Sequence, residues 1–175
     1  MKYPFFKRLI ETKFITGYPG HEQQHHASFR KILGDEKHDF FFDKFYEYFF
    51  TEADAEFFAS KGLNCLRLPF NYRHFEDDMN PRVLKESGFK HLDRVVDLCA
   101  KQKIYTILDL HTAPGGQNPD WHSDNVTNYA AFWDHKDHQD RVIWLWRQIA
   151  KRYKDNPWVA GYVRTSIVTK GLRPS

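Results

Sequence analysis

ILDLHTAPGGQN, residues 107–118, is the stretch that decides the fold. An apolar, strand-like segment over residues 104–110 ends at His111, and a Pro-Gly-Gly turn follows. Beyond the turn lie amides, aromatic rings and imidazoles: Gln117, Asn118, Trp121, His122 and Asn125. In parallel α/β sheets, polar groups at the carboxyl ends of the strands form the ligand site. Aromatic faces beside amide and imidazole groups suit a sugar, so this segment predicts a carbohydrate site.

Strand and helix patterns alternate along the rest of the chain. The predicted helices cover residues 35–50, 51–62, 89–101 and 137–153, and the predicted strands cover residues 63–68, 104–110 and 158–163. Thr51 is the expected N-cap of the second helix, with Asp54 at the capping-box position, and Pro69 is expected to end the first strand. This alternation is typical of a parallel sheet with right-handed crossovers, so the predicted fold class is α/β.

Composition narrows the class of protein. A hydrophobic content of 41% and an aromatic content of 17% are enough for a packed core, and 175 residues predict one domain. The net charge of +3 comes from scattered residues, which argues against a nucleic-acid partner. No apolar stretch has the length of a signal peptide or a membrane span, so a cytoplasmic protein without a membrane partner is expected. Cys65 and Cys99, both in apolar surroundings, are interpreted as buried thiols.

Polar residues on the predicted strands 63–68 and 104–110, and in the segment after the second of them, are candidates for contact with a ligand. Arg67 stands near a strand end opposite the leucines, so it either pairs with an acidic residue or contacts a ligand. Asp109 and His111 alternate on one face of the next strand and should lie close together. His111 either binds a hydroxyl or tunes a carboxylate, or it only satisfies loop carbonyls. Trp121 either stacks on a pyranose ring or covers the core.

No cofactor or metal ion is predicted from the residue pattern. Several histidines could suggest a metal: His25, His26, His122, His135 and His138. They have no cysteine or carboxylate partner at a recognised ligand spacing, so solvated surface histidines are the favoured interpretation. The glycine pair at residues 115–116 is not a phosphate-binding loop, because no Lys-Ser or Lys-Thr pair follows it.

Four segments together resemble glycoside hydrolase family 5, particularly its fungal glucan β-1,3-glucosidase-like members. They are FITGYPGHE (14–22), FFFDKFYEYFFTEADAEFFASKGLNCLRLPFNYRHFEDD (40–78), GFKHLDRVVDLC (88–99) and IYTILDLHTAPGGQNPDWHSDN (104–125). The resemblance implies a (β/α)8 TIM barrel that hydrolyses β-glucosides with retention, using two glutamates. It also implies that Arg67 and His111 end the second and third barrel strands and line the subsite for the reacting sugar. With Gln117, Asn118 and Trp121 from the opening segment, they are the expected substrate-binding residues.

The sequence also departs from the family pattern. A fourth strand begins as NPWVAGY (156–162) but continues as VRTSIVTKGLRPS, without the Asn-Glu pair that supplies the acid/base. Residues 87–175 contain no glutamate, so the nucleophile has no counterpart either, and no catalytic residue is predicted. The family's first strand is replaced by KYPFFKRLIETK (2–13). We therefore expect a divergent N-terminus (1–13), a partial TIM barrel with strands two, three and part of four (14–162), and a divergent tail (163–175).

Three functional hypotheses remain open at this point. The first is an inactive, truncated member of a β-glucoside hydrolase family, favoured because the divergence is abrupt and falls in mid-strand. The second is a non-catalytic remnant that still binds a β-glucoside or β-glucan, or that pairs with another barrel fragment. The third is an unrelated hydrolase that holds a metal with Asp109, His111, His122 and Asp124. The sequence leaves the oligomeric state open.

Overall fold

The structure, a computed structural model, describes residues 20–163. The helices are α1 (Glu22–Leu33), α2 (Asp35–Phe49), α3 (Glu52–Ser60), α4 (Phe89–Lys101) and α5 (Lys136–Tyr153), and the strands are β1 (Cys65–Asn71), β2 (Tyr105–Thr112) and β3 (Val159–Val163). The predicted alternation is confirmed, and α1 is an addition that the sequence patterns did not predict. Within the described residues, no helix is long and apolar enough to cross a membrane. The predicted segment 1–13 and the predicted tail, apart from Val163, lie outside these residues.

The three strands form one parallel sheet in the order β1-β2-β3, so the α/β class is confirmed. Helix α4 connects β1 to β2, and α5 connects β2 to β3. Both helices bury one face in a common core with the central strand: Leu92 and Val96 of α4, Leu108 and Leu110 of β2, and Leu145 and Ile149 of α5. Since crossovers of this kind cover one face of the sheet, Arg67, Asp109 and His111, which alternate with the core residues, lie on the other face.

The two faces of β1 explain a wrong prediction. Leu66 and Leu68 pack against the core, while Cys65 and Arg67 are exposed, because successive strand residues point to opposite faces. Cys65 was expected to be buried, and it is exposed because it shares the face of Arg67. Cys99 on α4 is buried as expected. Burial raises the pKa of the Cys99 thiol to about 11, which keeps it protonated at neutral pH.

Strand β1 is also longer than the sequence predicted. It was expected to end at Pro69, but it continues through Phe70 to Asn71. Proline removes only an N–H group, which an outer strand tolerates where that group would point away from its neighbour, and β1 is an outer strand of the described sheet. The extension matters because it brings Asn71 to the carboxyl edge of the sheet, beside α1.

Glu22, at the start of α1, ties this helix to the end of β1. Its Oε2 atom accepts a hydrogen bond of 2.9 Å from Nδ2 of Asn71. Its Oε1 atom lies 3.7 Å from Nε2 of His26 and 3.5 Å from Nε2 of His74. Burial raises the pKa of Glu22, but the hydrogen bonds and the charge of the histidines outweigh it and hold that pKa well below its usual range.

This depressed pKa predicts a pH-dependent contribution to stability. A carboxyl group with a lowered folded-state pKa stabilises the fold above its unfolded-state pKa, and the effect is lost as pH falls through the folded value. Glu22→Gln should therefore lower the free energy of unfolding by about 1 kcal/mol at pH 7, and its difference from the unmodified chain should shrink below pH 4.5. Urea denaturation at several pH values measures this. The control is Glu56→Gln on an exposed face of α3, and a difference for Glu22→Gln that does not change with pH would contradict the prediction.

Candidate carbohydrate site

The candidate site begins with an ionic cluster on the face of the sheet opposite α4 and α5. Asp109 of β2 is fully buried. Its Oδ2 atom accepts hydrogen bonds from Nη2 of Arg67 at 2.5 Å and from Nδ1 of His111 at 3.0 Å. The predicted proximity of Asp109 and His111 is confirmed, and Asp109 is the acidic partner of Arg67. Because 47% of the Arg67 side chain stays accessible, the ion pair does not preclude a ligand contact.

The shared oxygen of Asp109 favours one tautomer of the neutral His111 ring. A carboxylate only accepts hydrogen bonds, so the neutral imidazole carries its proton on Nδ1 and leaves Nε2 as an acceptor. The same oxygen draws Nη2 of Arg67 to 3.2 Å from Nδ1 of His111, since both groups donate to one acceptor. The cluster therefore presents a guanidinium and an imidazole acceptor side by side, and sugar hydroxyls bind to groups of this kind.

Gln117 lies behind this cluster and supports it. Its side chain is fully buried, with Oε1 accepting from the backbone N–H of Ala113 at 3.0 Å and Nε2 donating to the carbonyl of His111 at 2.5 Å. Both ends of the amide are thus engaged within the turn that follows β2. Direct contact between Gln117 and a sugar stays a prediction, and the structure gives the residue a role in holding the backbone of His111.

Asn118 is buried in the same turn and organises its second half. Its Oδ1 atom accepts from the N–H of Asp120 at 2.9 Å and from the hydroxyl of Ser123 at 2.7 Å. Its Nδ2 atom lies 3.0 Å from Nε2 of His122. The sugar contact predicted for Asn118 is likewise untested, and its side-chain hydrogen bonds run to residues of the loop.

A row of rings continues from the ionic cluster along the rim. The ring centroid of His122 lies 5.7 Å from that of His111 and 5.9 Å from that of Trp121. Trp121 is 53% exposed, which argues against the interpretation that it only covers the core. A cavity of about 890 Å3 has Arg67, His111 and Trp121 in its wall. Aromatic and imidazole groups at the border of a cavity are suited to the apolar and polar faces of a pyranose.

Asp124 anchors the far side of the loop, a role that the sequence analysis missed. It is buried in a left-handed conformation with φ of 52°. Its Oδ1 atom accepts from the N–H of Gln23 at 2.8 Å, and its Oδ2 atom accepts from Nδ2 of Asn71 at 3.0 Å and Nε of Arg73 at 3.1 Å. These partners are about 50 to 100 residues away in the chain, so local sequence patterns gave no signal for them.

The family assignment follows from a sequence comparison. A family model described as cellulase (glycosyl hydrolase family 5) matches residues 24–161, which include every element described above except part of α1 and the end of β3. The chain belongs to glycoside hydrolase family 5. The family is one of glycosidases, and the predicted resemblance is confirmed.

Individual family 5 relatives agree with this assignment. The chain is 72% identical to a β-xylosidase of Phanerodontia chrysosporium over 85% of its own length, and 34% identical to endoglucanase C of Acetivibrio thermocellus over 62%. It spans only 31% and 30% of those relatives. A crystal structure of rutinosidase from Aspergillus niger superposes with a TM-score of 0.60 at 21% identity, covering 69% of this chain and 34% of that one. This superposition supports a shared fold, part of a TIM barrel.

The metal-dependent hydrolase hypothesis finds no ligand set in the part of the chain that the structure describes. Among residues 20–163, no group of three or more histidine, cysteine, aspartate or glutamate side chains is arranged to hold a metal ion. Asp109 is engaged by Arg67 and His111, and Asp124 is engaged by Arg73 on another side of the loop. The proposed quartet with His122 therefore does not converge on one point.

Gly116 provides a test of how tightly the loop after β2 is packed. Its φ is 69°, and an added Cβ would lie 2.5–2.9 Å from the side chain of Asn125. Asn125 cannot easily yield, because its Nδ2 atom is buried and donates to the carbonyls of Asn118 and Tyr129. Gly116→Ala should lower the free energy of unfolding by about 2 kcal/mol or more, measured by urea denaturation. Gly62→Ala is the control, since its φ of 74° carries the same backbone strain with nothing within 4 Å of an added Cβ; equal losses in both variants would contradict the prediction of a steric clash.

Proposed function

We propose that this chain binds β-glycosides of gluco or xylo configuration at the carboxyl edge of its sheet, and that it does not hydrolyse them. The observation that carries the proposal is the cluster of Arg67, Asp109 and His111, which holds a guanidinium and an imidazole acceptor beside the exposed ring of Trp121. Membership of glycoside hydrolase family 5 supports a glycoside as the ligand.

The positions of the carboxyl groups support the proposal that this 175-residue chain does not hydrolyse glycosides. Retaining hydrolysis needs two carboxyl groups about 5–5.5 Å apart on either side of the glycosidic bond. The sequence has no glutamate after Glu86. Near the rings, Asp109 is fully buried beneath Arg67, and Asp124 is buried and paired with Arg73. Buried and paired in this way, neither carboxylate is available as an acid/base or a nucleophile, and the exposed Asp120 would supply one carboxylate where the reaction needs two.

Two features define the proposed sugar class. The relatives are named β-xylosidase and endoglucanase, which points to xylosides and glucans as candidate ligands. Xylose and glucose share equatorial hydroxyls at C2, C3 and C4 and differ in the hydroxymethyl group at C5. A cluster that contacts ring hydroxyls through Arg67 and His111 therefore serves both sugars, and the proposal includes both.

Titration with simple glycosides tests the proposal. Methyl β-D-xylopyranoside and methyl β-D-glucopyranoside should perturb the NMR signals of His111 and Trp121 in the 175-residue chain, and Arg67→Ala should weaken the affinity about tenfold. The control is Arg147→Ala on the exposed face of α5. No release of 4-nitrophenol from the matching 4-nitrophenyl glycosides is expected. Failure of both glycosides to bind would contradict the binding proposal. Hydrolysis of a 4-nitrophenyl glycoside by the purified chain would contradict the proposed inactivity.

A second candidate is a partner of another barrel fragment. Within the described sheet, β1 and β3 each pair with β2 on one side only. Tyr162, on the outer strand β3, is 41% exposed. A separate chain carrying the remaining strands of a family 5 barrel should then form a one-to-one complex with this chain in analytical ultracentrifugation. Sedimentation of the two chains as independent species would exclude this candidate.

A further inference from the structure

Asn118 fixes the tautomer of His122. The N–H of Asp120 donates to Oδ1 of Asn118, which identifies that atom as the oxygen, so the amide nitrogen is the atom 3.0 Å from Nε2 of His122. An amide nitrogen only donates, and Nε2 must therefore be an unprotonated acceptor. The proton of the neutral ring lies on Nδ1. Among the described residues no hydrogen bond from that Nδ1 atom is found, and the His122 side chain is partly exposed.

His111 presents the opposite hydrogen-bonding character. Its Nδ1 proton is used by Asp109, and its outward Nε2 atom is the acceptor. The ring centroids of His111 and His122 are 5.7 Å apart. The rim therefore places one imidazole acceptor beside one imidazole donor, each fixed by a separate side chain behind it.

We propose that His111 and His122 form a complementary pair that binds two adjacent hydroxyls of a sugar ring. This inference rests on the proposed function and adds His122 to the site as a residue that contacts the ligand. A hydroxyl both donates and accepts, so one hydroxyl donates to Nε2 of His111 and its neighbour accepts from Nδ1 of His122. Adjacent equatorial hydroxyls, each with a hydrogen bond of about 2.8 Å, bridge rings at this separation.

In this arrangement Asn118 is a positioning residue, because it determines which nitrogen of His122 carries the proton. With the common Nε2–H tautomer, His122 would present a second acceptor to the ligand, so both hydroxyls would have to donate and neither could accept a hydrogen bond from the pair. The buried Asn118 amide excludes that tautomer without touching the ligand itself. The ligand class is a pyranoside with a vicinal diequatorial diol, which both xylosides and glucosides contain.

Nitrogen-15 NMR of the imidazoles in the full chain tests the tautomers without any ligand. Both His111 and His122 should show an unprotonated Nε2 and a protonated Nδ1. An Nε2-protonated His122 would overturn the inference, whether or not the chain binds sugars.

Two substitutions at His122 separate its two nitrogens. In His122→Gln the side-chain oxygen can take the position of Nε2 and accept from Asn118, but the donor at the position of Nδ1 is lost. In His122→Asn the amide nitrogen takes the position of Nδ1 and retains the donor. With methyl β-D-xylopyranoside as the probe, we expect affinity about tenfold weaker for His122→Gln and within about threefold of the unmodified chain for His122→Asn.

The outcomes distinguish this inference from the proposed function. If the unmodified chain binds the xyloside and Arg67→Ala weakens binding, but His122→Gln binds as well as the unmodified chain, the inference fails and the proposed function stands. If the unmodified chain binds neither the xyloside nor the glucoside, both fail. Monodeoxy xylosides add a second readout: removal of the hydroxyl that accepts from His122 should abolish the difference between His122→Gln and the unmodified chain, and removal of the hydroxyl that donates to His111 should leave it.

Discussion

Arg141→Ala is expected to lower the free energy of unfolding by about 3–5 kcal/mol. Arg141 of α5 is buried, with Nε donating to Oε1 of Glu76 at 3.0 Å and Nη2 donating to Oδ1 of Asp78 at 3.0 Å. Glu76 is fully buried. Truncation of the arginine leaves a carboxylate in the interior without its cation, and this uncompensated desolvation dominates the loss. Urea denaturation followed by tryptophan fluorescence measures the change.

A matched arginine on the same helix provides the control. Arg147 is exposed, and Arg147→Ala should change the free energy of unfolding by less than about 0.5 kcal/mol. The double variant Arg141→Ala, Glu76→Ala should lose less than the sum of the two single variants, because it removes the uncompensated charge as well as the ion pair. A loss below about 1 kcal/mol for Arg141→Ala would show that the buried pair does not hold the segment after β1.

This buried pair is one end of a chain of ionic contacts that reaches the candidate site. Asp78 also pairs with Arg73, and Arg73 donates through Nε to Asp124 at 3.1 Å. Asp124 in turn accepts from Asn71 at the end of β1. Through these alternating charges, helix α5 is connected to the loop that carries Trp121, His122 and Asp124. We infer that the position of the loop depends on residues far from any ligand.

Much of the fold and part of the site follow from local sequence patterns. The stripe of apolar residues in 89–101 predicts α4 with the bounds that the structure has, because a helix that packs on a sheet must repeat its apolar face. The alternation along the strands places Arg67 on the face opposite the leucines and brings Asp109 close to His111. These features depend on residues close in sequence. Apolar residues recur every two positions along a strand and about every 3.6 positions along a helix, and this recurrence is visible in the sequence.

The features that the sequence patterns missed depend on distant partners. Glu76 meets Arg141 across 65 residues, and Asp124 meets Gln23 across 101 residues, so no local period indicates either contact. Gln117 is a different case, because its hydrogen-bond partners, Ala113 and His111, are only four and six residues away in the chain. The Gln117 amide is hydrogen-bonded to backbone groups of these two residues, and its contact with a sugar stays a prediction.

Asp109→Asn is the substitution expected to have the largest effect on ligand binding. Asp109 Oδ2 orients Arg67 and His111 together, and loss of the charge weakens both hydrogen bonds. The amide can also present its nitrogen to the two donors, which would release the Nδ1 proton of His111 to the other tautomer. We expect affinity for methyl β-D-xylopyranoside to fall about 30-fold, corresponding to about 2 kcal/mol.

Stability should respond much less than affinity to this change. Arg67 is about half exposed and can move into solvent when its partner is lost, so the free energy of unfolding should fall by less than about 2 kcal/mol. The control is Asp97→Asn on the exposed side of α4. Nitrogen-15 NMR of His111 distinguishes positioning from a purely structural role. If Asp109 positions His111, the Asp109→Asn variant should populate the Nε2-protonated tautomer; a purely structural role would leave the tautomer unchanged. Affinity within twofold of the unmodified chain would mean that Asp109 stabilises the sheet without positioning the groups that face the sugar.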